Sequence, residues 1–323
     1  MSEPALLAAE DVKHAKANLA AAAPGTPAVQ VDRRTHRPLS AIGFVLLAVF
    51  CFAVLDTTTK TVVGGVPLLM AIWVRYAIQA VVSTAILWPA QGNSLWHTRH
   101  LGLQAVRGVL LLGSSLFAFT SLMVVPVGEF SAIVMTTPLV MTLIASRFMN
   151  ERVSALRWLF VAGGFFGVLM IIHPGGSTFQ WGWLLPLVVV AFNTGFQLLT
   201  SSMARTENPS TTHFYTGWVG TGLATVALPF VWTTVTDTSV WLRMLLMGFA
   251  GAIGHFCLTV AYTRAPAAAL TPYLYAHIGA AMLLGWWVMR HVPDQWALTG
   301  MLVIAVCGGG GAWLSAREAR PLT

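Results

Sequence analysis

The chain has 323 residues, of which 56% are apolar and only 9% charged. Soluble domains carry roughly a quarter charged residues, and a water-facing surface cannot be built from so few charges, so an ordinary soluble globular protein is excluded. The net charge of +7 does not mark a nucleic-acid binder, because the basic residues lie between apolar runs, where they act as topology signals.

Residues 1–39 are rich in Ala and Pro, carry mixed charge and hold no apolar stretch long enough for a signal peptide. They read as a disordered cytoplasmic tail. Beyond them, apolar runs long enough to cross a bilayer predict ten spans: Ala41–Val63, Pro67–Trp88, Leu101–Val124, Val127–Phe148, Leu156–Ile172, Gln180–Ser202, Thr211–Trp232, Leu242–Thr263, Pro266–Met289 and Trp296–Trp313. The short connections Gly64-Gly65-Val66 and Val125-Pro126 imply tight turns between antiparallel neighbours. With the N-terminus in the cytoplasm, fourteen of the eighteen Lys+Arg fall on that side. Only Arg243 and Arg290 fall on the other, and Lys60 and Arg75 lie within spans. This asymmetry predicts an inner-membrane protein with both chain ends cytoplasmic, the C-terminal stretch 317–323 included. Cys51, Cys257 and Cys307 sit inside apolar runs and read as small packing residues; no metal and no cofactor is expected.

A shift of 140 residues lays the second half over the first without gaps. Pro126 falls on Pro266, Arg75 on Tyr215, and "SLMVVPVGEFSA" (121–132) on "AYTRAPAAALTP" (261–272). Five spans per half is an odd number, so the halves insert upside down relative to each other. The expected fold class is an all-α membrane protein of ten transmembrane helices in two inverted five-helix repeats, residues 40–175 and 176–316. Folds of this kind belong to alternating-access transporters, with the site near the midplane between the halves.

An ionisable side chain within a span costs roughly 2.5–3.5 kcal/mol at mid-membrane, so each needs a compensating reason. Asp56 lies about 10 Å below the outer end of the first span and Arg75 about 12 Å below that of the second, so the two can meet. Lys60 stands one turn above Asp56 on the same face. These groups either line a hydrated cavity that contacts a charged substrate, or form a buried ion pair with Lys60 snorkelling to the interface. Glu129, just inside the fourth span, either caps the helix dipole or binds a proton or cation. His255 and His277 fall near the middle of the eighth and ninth spans, with Tyr273 one turn from His277. Histidine titrates near neutral pH, so a proton or substrate role stands beside plain packing. Asn193 and Gln197, one turn apart in the sixth span, and Tyr215, the counterpart of Arg75, extend the candidate site from the second half. Most of the Trp residues sit at span ends, as an interfacial belt requires; Trp73 is deeper. "GGGG" (308–311), Gly163 and Gly167 are small-residue surfaces for close helix approach, within one chain or between two.

Three stretches carry a family resemblance: "RGVLLLGSSLFAFTSLMVVPVGEFSAI" (107–133), "NERVSALRWLFVAGGFFGVLMIIHPG" (150–175) and "SSMARTENPSTTHFYTGWVG" (201–220). They resemble the ten-helix EamA-type branch of the drug/metabolite transporter superfamily, over about residues 40–316. The chain departs at Asn150, where that family usually has Gly, and at Arg290-His291, where the second repeat usually keeps Gly-Glu. The first span, with Asp56 and Lys60 followed by Arg75, is similar to the branch that holds S-adenosylmethionine and riboflavin carriers. The resemblance implies a secondary transporter, monomer or homodimer, that moves a small molecule across the lipid bilayer with a proton or counter-substrate. Asp56, Lys60, Arg75 and Glu129 sum to zero charge, which suits a zwitterionic or amphiphilic metabolite of the S-adenosylmethionine kind; a flavin or a quaternary ammonium compound fits as well. A broad-specificity drug/metabolite exporter is the alternative. An intramembrane enzyme, for which HExxH and GxSxG are lacking, and a membrane scaffold are the rivals from other classes.

Overall fold

A computed structural model of the chain describes residues 38–148, 154–174, 180–203, 206–265 and 267–318. Most of the expected N-terminal tail, the last five residues, and Asn150, Arg152, Arg205 and Pro266 lie outside the described residues. Among the described residues, twelve α-helices follow in chain order: α1 Pro38–Val62, α2 Leu68–Gln91, α3 Leu101–Val124, α4 Val127–Val134, α5 Thr137–Phe148, α6 Ala155–Ile172, α7 Leu185–Met203, α8 Pro209–Val231, α9 Thr238–Arg264, α10 Ala267–Leu274, α11 Ala276–Met289 and α12 Gln295–Glu318. Eight helical stretches are long and apolar enough to cross a membrane, and Val127–Met141 is a shorter apolar one. The protein is an all-α, multi-pass membrane protein.

Local chemistry sets the helix ends. Gly64 turns the chain between α1 and α2 with φ +91°, a conformation that a Cβ would strain. Asn208 and Asp237 accept hydrogen bonds from the Ser210 and Ser239 backbone N–H groups at 2.9 and 2.8 Å, so α8 and α9 start on side-chain caps. Pro126 stops α3. It has no N–H to offer the Leu122 carbonyl four residues back, and that orphaned oxygen becomes important below.

The fourth and ninth predicted spans differ from expectation, because each is two helices rather than one. The first break falls at Met135-Thr136, just before Pro138. The prolyl ring takes the N–H that the Val134 carbonyl would have received, and the Thr137 hydroxyl donates to that oxygen instead, at 2.7 Å. The second break falls at Tyr275, three residues after Pro272, where the backbone stays near-helical at φ −67°, ψ −15°. The 140-residue offset of the sequence carries 127 onto 267 and 134 onto 274, the ends of α4 and of α10.

The most extensive packing is between α1 and α9, α6 and α12, α2 and α8, and α3 and α7. Glycine sets the α6–α12 distance. A Cβ at Gly300 would lie 2.6 Å from the Gly167 carbonyl oxygen, and one at Gly167 would lie 2.8 Å from that of Gly300. The small-residue surface of α6 is therefore used inside the chain. In α12, Gly308 and Gly310 leave room for the rings of Tyr275 and Phe160. Facing away from these contacts, Leu159, Phe166, Leu302 and Val306 are exposed, as lipid contact requires.

Two ends of the bundle can be told apart by their contacts. At the terminal end, the Arg264 guanidinium lies over the Phe44 ring and Glu207 accepts from the Arg99 backbone N–H at 2.7 Å. At the opposite end, the last turn of α1 meets the turn after α3 and the start of α9, and the turn after α11 meets the start of α4.

Candidate functional site

Asp56 and Arg75 do not pair: among the described residues no ion pair joins them. Asp56 points from α1 toward α4 and α11, where its Oδ2 lies 3.4 Å from His277 Nε2 and accepts from the Ser131 hydroxyl at 3.3 Å. Arg75 turns the other way. Its Nη1 donates to Ser115 Oγ at 2.6 Å, and its guanidinium lies over the Tyr76 ring. Both choices satisfy the demand that a buried charge be hydrogen-bonded. Equal depth permitted the pair, but the neighbours on α3 and α11 decide against it.

Lys60 is not on a cavity wall. Its ammonium donates to the Leu122 and Val125 carbonyls at 2.7 and 2.9 Å, and so supplies the donor that Pro126 cannot. Beside it, Arg243 Nη1 donates to the Thr61 carbonyl at 3.2 Å. Glu129 is not a solvated cap. It is buried, and its Oε1 lies 2.8 Å from Nε2 of His291, whose side chain is 40% exposed. Lys60, Arg243 and the Glu129–His291 pair tie α1, α3, α4, α9 and the turn after α11 together at the opposite end. The departure Arg290-His291 is thereby explained. Arg290 takes the left-handed φ of +56° that Gly would take freely, and His291 reaches the acid.

The second-half candidates scatter. Asn193 Oδ1 accepts from Ser114 at 2.8 Å between α7 and α3. Tyr215 donates to the Trp96 carbonyl at the terminal end, at 2.9 Å, far along its span from the depth of Arg75. Tyr273 does not share a face with His277. The break at Tyr275 puts them on different helices, so Tyr273 is exposed while His277 is buried. Of the nine candidates, Gln197 alone lines the cavity described next. Trp73 is held between α2 and α8, donating to Thr225 at 2.8 Å. His255 packs its ring edge-on to Phe52, 4.9 Å between centroids, and lies 6.4 Å from His213.

A cavity of about 260 Å³ opens toward the terminal end. Its walls come from both halves, with Pro138 and Leu139 of α5, Arg157 and Phe160 of α6, Gln197 of α7, Tyr262 of α9, Thr271 of α10, Tyr275 at the break, and Gly308 and Gly311 of α12. Tyr275 is 6% exposed, and among the described residues its buried hydroxyl has no hydrogen-bond partner. A phenol buried in this way ordinarily finds a partner. Three aromatic rings, one guanidinium and one amide can take a flat molecule that carries hydrogen-bond acceptors. Sequence reasoning missed Tyr275, His291 and Ser131. The signals were present in the Thr-Pro pairs at 137–138 and 271–272 and in the glycine run that accommodates the Tyr275 ring. Arg107, one of the fourteen basic residues counted on the cytoplasmic side, also has a packing role that the count does not reveal. It is buried in α3, where it donates to the Thr200 hydroxyl and the Thr212 carbonyl, both at 2.7 Å, and lies over the Phe196 ring.

Residues 39–173 match the EamA-like transporter family. The chain is 27% identical to a riboflavin transporter of Vibrio cholerae, over 84% of this chain and 93% of that one. It is 22% identical to an S-adenosylmethionine uptake transporter of Rickettsia bellii, over 81% and 90%, and 23% identical to a pseudopaline exporter of Pseudomonas aeruginosa, over 83% and 94%. A solved crystal structure superposes on it with a TM-score of 0.63 at 18% identity, covering 88% of this chain and all of the other, which bears on the fold alone. The first half of the chain is thus similar to the EamA-like transporter family, and more than four-fifths of the whole chain to proteins named as carriers of small molecules.

Proposed function

We propose that the protein is a secondary carrier of the cytoplasmic membrane, built of ten crossings in two inverted repeats with both chain ends in the cytoplasm. In this reading it moves an amphiphilic or zwitterionic metabolite with a planar, nitrogen-rich ring by alternating access. The observation that carries the proposal is the pairing of an open cavity at one end with a tied end opposite. The cavity is lined by the Phe160, Tyr262 and Tyr275 side chains, while Lys60, Arg243 and Glu129–His291 hold the far end shut. That is what an inward-facing state of such a carrier requires. The repeat is supported by the offset that superimposes α4 on α10. It is supported again by the packing, because the offset turns the α1–α9 pair into the α7–α3 pair.

Riboflavin and S-adenosylmethionine, named in the relatives, both carry a flat nitrogen heterocycle. The described cavity walls hold one charge, the guanidinium of Arg157. Stacking on the Phe160, Tyr262 and Tyr275 rings favours the broad flavin ring system. The test is uptake by proteoliposomes holding the purified protein, with riboflavin and S-adenosylmethionine as probes. Riboflavin enters faster than S-adenosylmethionine, and Tyr275→Leu, which removes a lining ring, weakens its apparent affinity about 2- to 12-fold, the worth of one aromatic contact. Binding without flux would support a scaffold, and covalent change of a probe would support an enzyme; either result sinks the carrier reading.

A further inference from the structure

The group formed by Asp56, His277 and Ser131 lies away from the walls of the cavity, yet it links the two halves. Asp56 comes from α1 and Ser131 from α4, both in the first half. His277 is the second residue of α11, immediately after the break at Tyr275. The Asp56 side chain is 17% exposed and that of His277 7%, and Ser131 is fully buried. A carboxylate and an imidazole 3.4 Å apart in a water-poor interior form a site with a defined proton requirement. With one proton present, the pair is either an ion pair or two neutral groups, and both forms suit burial. With that proton gone, a bare carboxylate faces an uncharged ring that offers at most one N–H beside the Ser131 donor, and the charge–charge attraction between the two groups is lost.

The ionisable groups on the surrounding described elements do not supply that compensation within the site. On α2, Arg75 lies within electrostatic reach of Asp56 but is bonded to Ser115. On α1, Lys60 is bonded to the end of α3. On α4, Glu129 is held by His291. Arg107 on α3 is taken up by Thr200 and Thr212. On α9, His255 packs against Phe52, and Cys257 is a buried thiol. On α10, Tyr273 faces outward, and the Tyr275 phenol at the break lines the cavity.

We propose that Asp56, His277 and Ser131 form a proton-binding site whose occupancy couples proton movement to the transport cycle. One proton enters the site from one side of the membrane and leaves to the other, and no electrons are transferred. While the proton is bound, the site holds α11 against α1 and α4. When it leaves, the Asp56 carboxylate is drawn toward the Arg75 guanidinium and the tie to α11 is lost. Tyr275 stands two residues before His277, so the same break carries the cavity wall and the proton site. Release of one therefore moves the other. The coupling part of this inference rests on the carrier reading above; the proton site itself does not.

Two measurements on the full-length protein in lipid separate them. Infrared difference spectra between acidic and alkaline buffer report the C=O stretch of a protonated buried carboxyl without any substrate. The expected band disappears in Asp56→Asn and shifts in Ser131→Ala, which keeps the carboxyl and loses only its hydrogen bond. Its titration midpoint moves in His277→Gln. In proteoliposomes with riboflavin as the probe, accumulation follows an imposed pH gradient, approaching about tenfold per pH unit for one proton per molecule, and the gradient has no effect in Asp56→Asn. A band unchanged in Asp56→Asn, or a midpoint indifferent to His277→Gln, overturns the proton site. A band behaving as expected alongside wild-type protein that carries no riboflavin overturns the substrate reading instead and leaves the site standing.

Discussion

Lys60→Met tests whether the end opposite the cavity is held shut by named hydrogen bonds. In the wild type the ammonium makes two contacts, to the Leu122 and Val125 carbonyls at 2.7 and 2.9 Å. Hydrogen bonds to a charged group are worth about 1.5–3 kcal/mol each. Lys60 is only partly buried, so the lower figure applies, and the two together come to about 3 kcal/mol. Methionine keeps most of the apolar stem and removes both donors, and it leaves the Leu122 oxygen without the N–H that Pro126 lacks. At 1.4 kcal/mol per decade, the ratio of open to closed forms at that end rises about 100-fold. The assay places a reporter cysteine at Val127, which is 1% exposed, after Cys51, Cys257 and Cys307 are replaced. A membrane-impermeant thiol reagent then measures how often that end opens. Labelling accelerates about 100-fold in Lys60→Met and changes little in Lys60→Arg, which keeps donors in reach. Equal labelling rates in wild type and Lys60→Met, or equal acceleration by Met and Arg, would refute the account of the closed end.

Further outcomes follow from single contacts. Gly308→Ala places a methyl group inside the Tyr275 ring; overpacking of this kind costs about 1–3 kcal/mol, and riboflavin binding falls with it, as fluorescence quenching would show. Arg290→Gly removes a left-handed strain at φ +56° worth about 1–2 kcal/mol, so the midpoint of thermal unfolding in detergent rises. Asp237 is held below the usual carboxylate range by the backbone N–H and hydroxyl of Ser239. A lowered value means that its contribution is complete above the ordinary carboxylate range and is lost only as pH falls through the lowered value. The helix cap it provides is therefore unchanged between pH 5 and 8 in circular-dichroism melts, whereas Asp237→Ala weakens α9 across that whole range.

The long helices were legible because their apolar runs leave no alternative. The third predicted span, Leu101–Val124, coincides with α3, and the fifth differs from α6 by one residue at its start. The breaks were not read, although each span concerned carries a Thr-Pro pair. Hydropathy stays high through both breaks, and a window that averages over a crossing cannot register one lost N–H. Within the candidate site, the cost of ionisable groups in lipid singled out Asp56, Arg75, Glu129 and His277, and all but Asp56 are nearly fully buried. Their partners were out of reach. Depth along a helix follows from residue count, but the direction of a side chain depends on what the neighbouring helix offers. Ser115 took Arg75, and His291 took Glu129, the latter from the turn at which the sequence departs from the family pattern.

The groups that shut the far end differ in kind from the group at the centre, and that difference suggests a division of labour. Lys60 and Arg243 bond to carbonyls that helix ends leave unpaired in any case, and Glu129 meets a half-exposed histidine. Water can replace each of these partners as the end opens, so their strength sets how readily it opens without forbidding it. Asp56 and His277 lie between helices, where His277 is nearly fully buried and only 17% of the Asp56 side chain is exposed, so water replaces their contact poorly until those helices separate. A proton gained or lost there is felt at full strength by α1, α4 and α11 together. The peripheral ties then decide the resting direction of the carrier, and the central pair decides when that direction changes. Weakening the first set should therefore raise access without altering the pH dependence of transport, whereas changing Asp56 or His277 should alter the pH dependence even when the far end still closes.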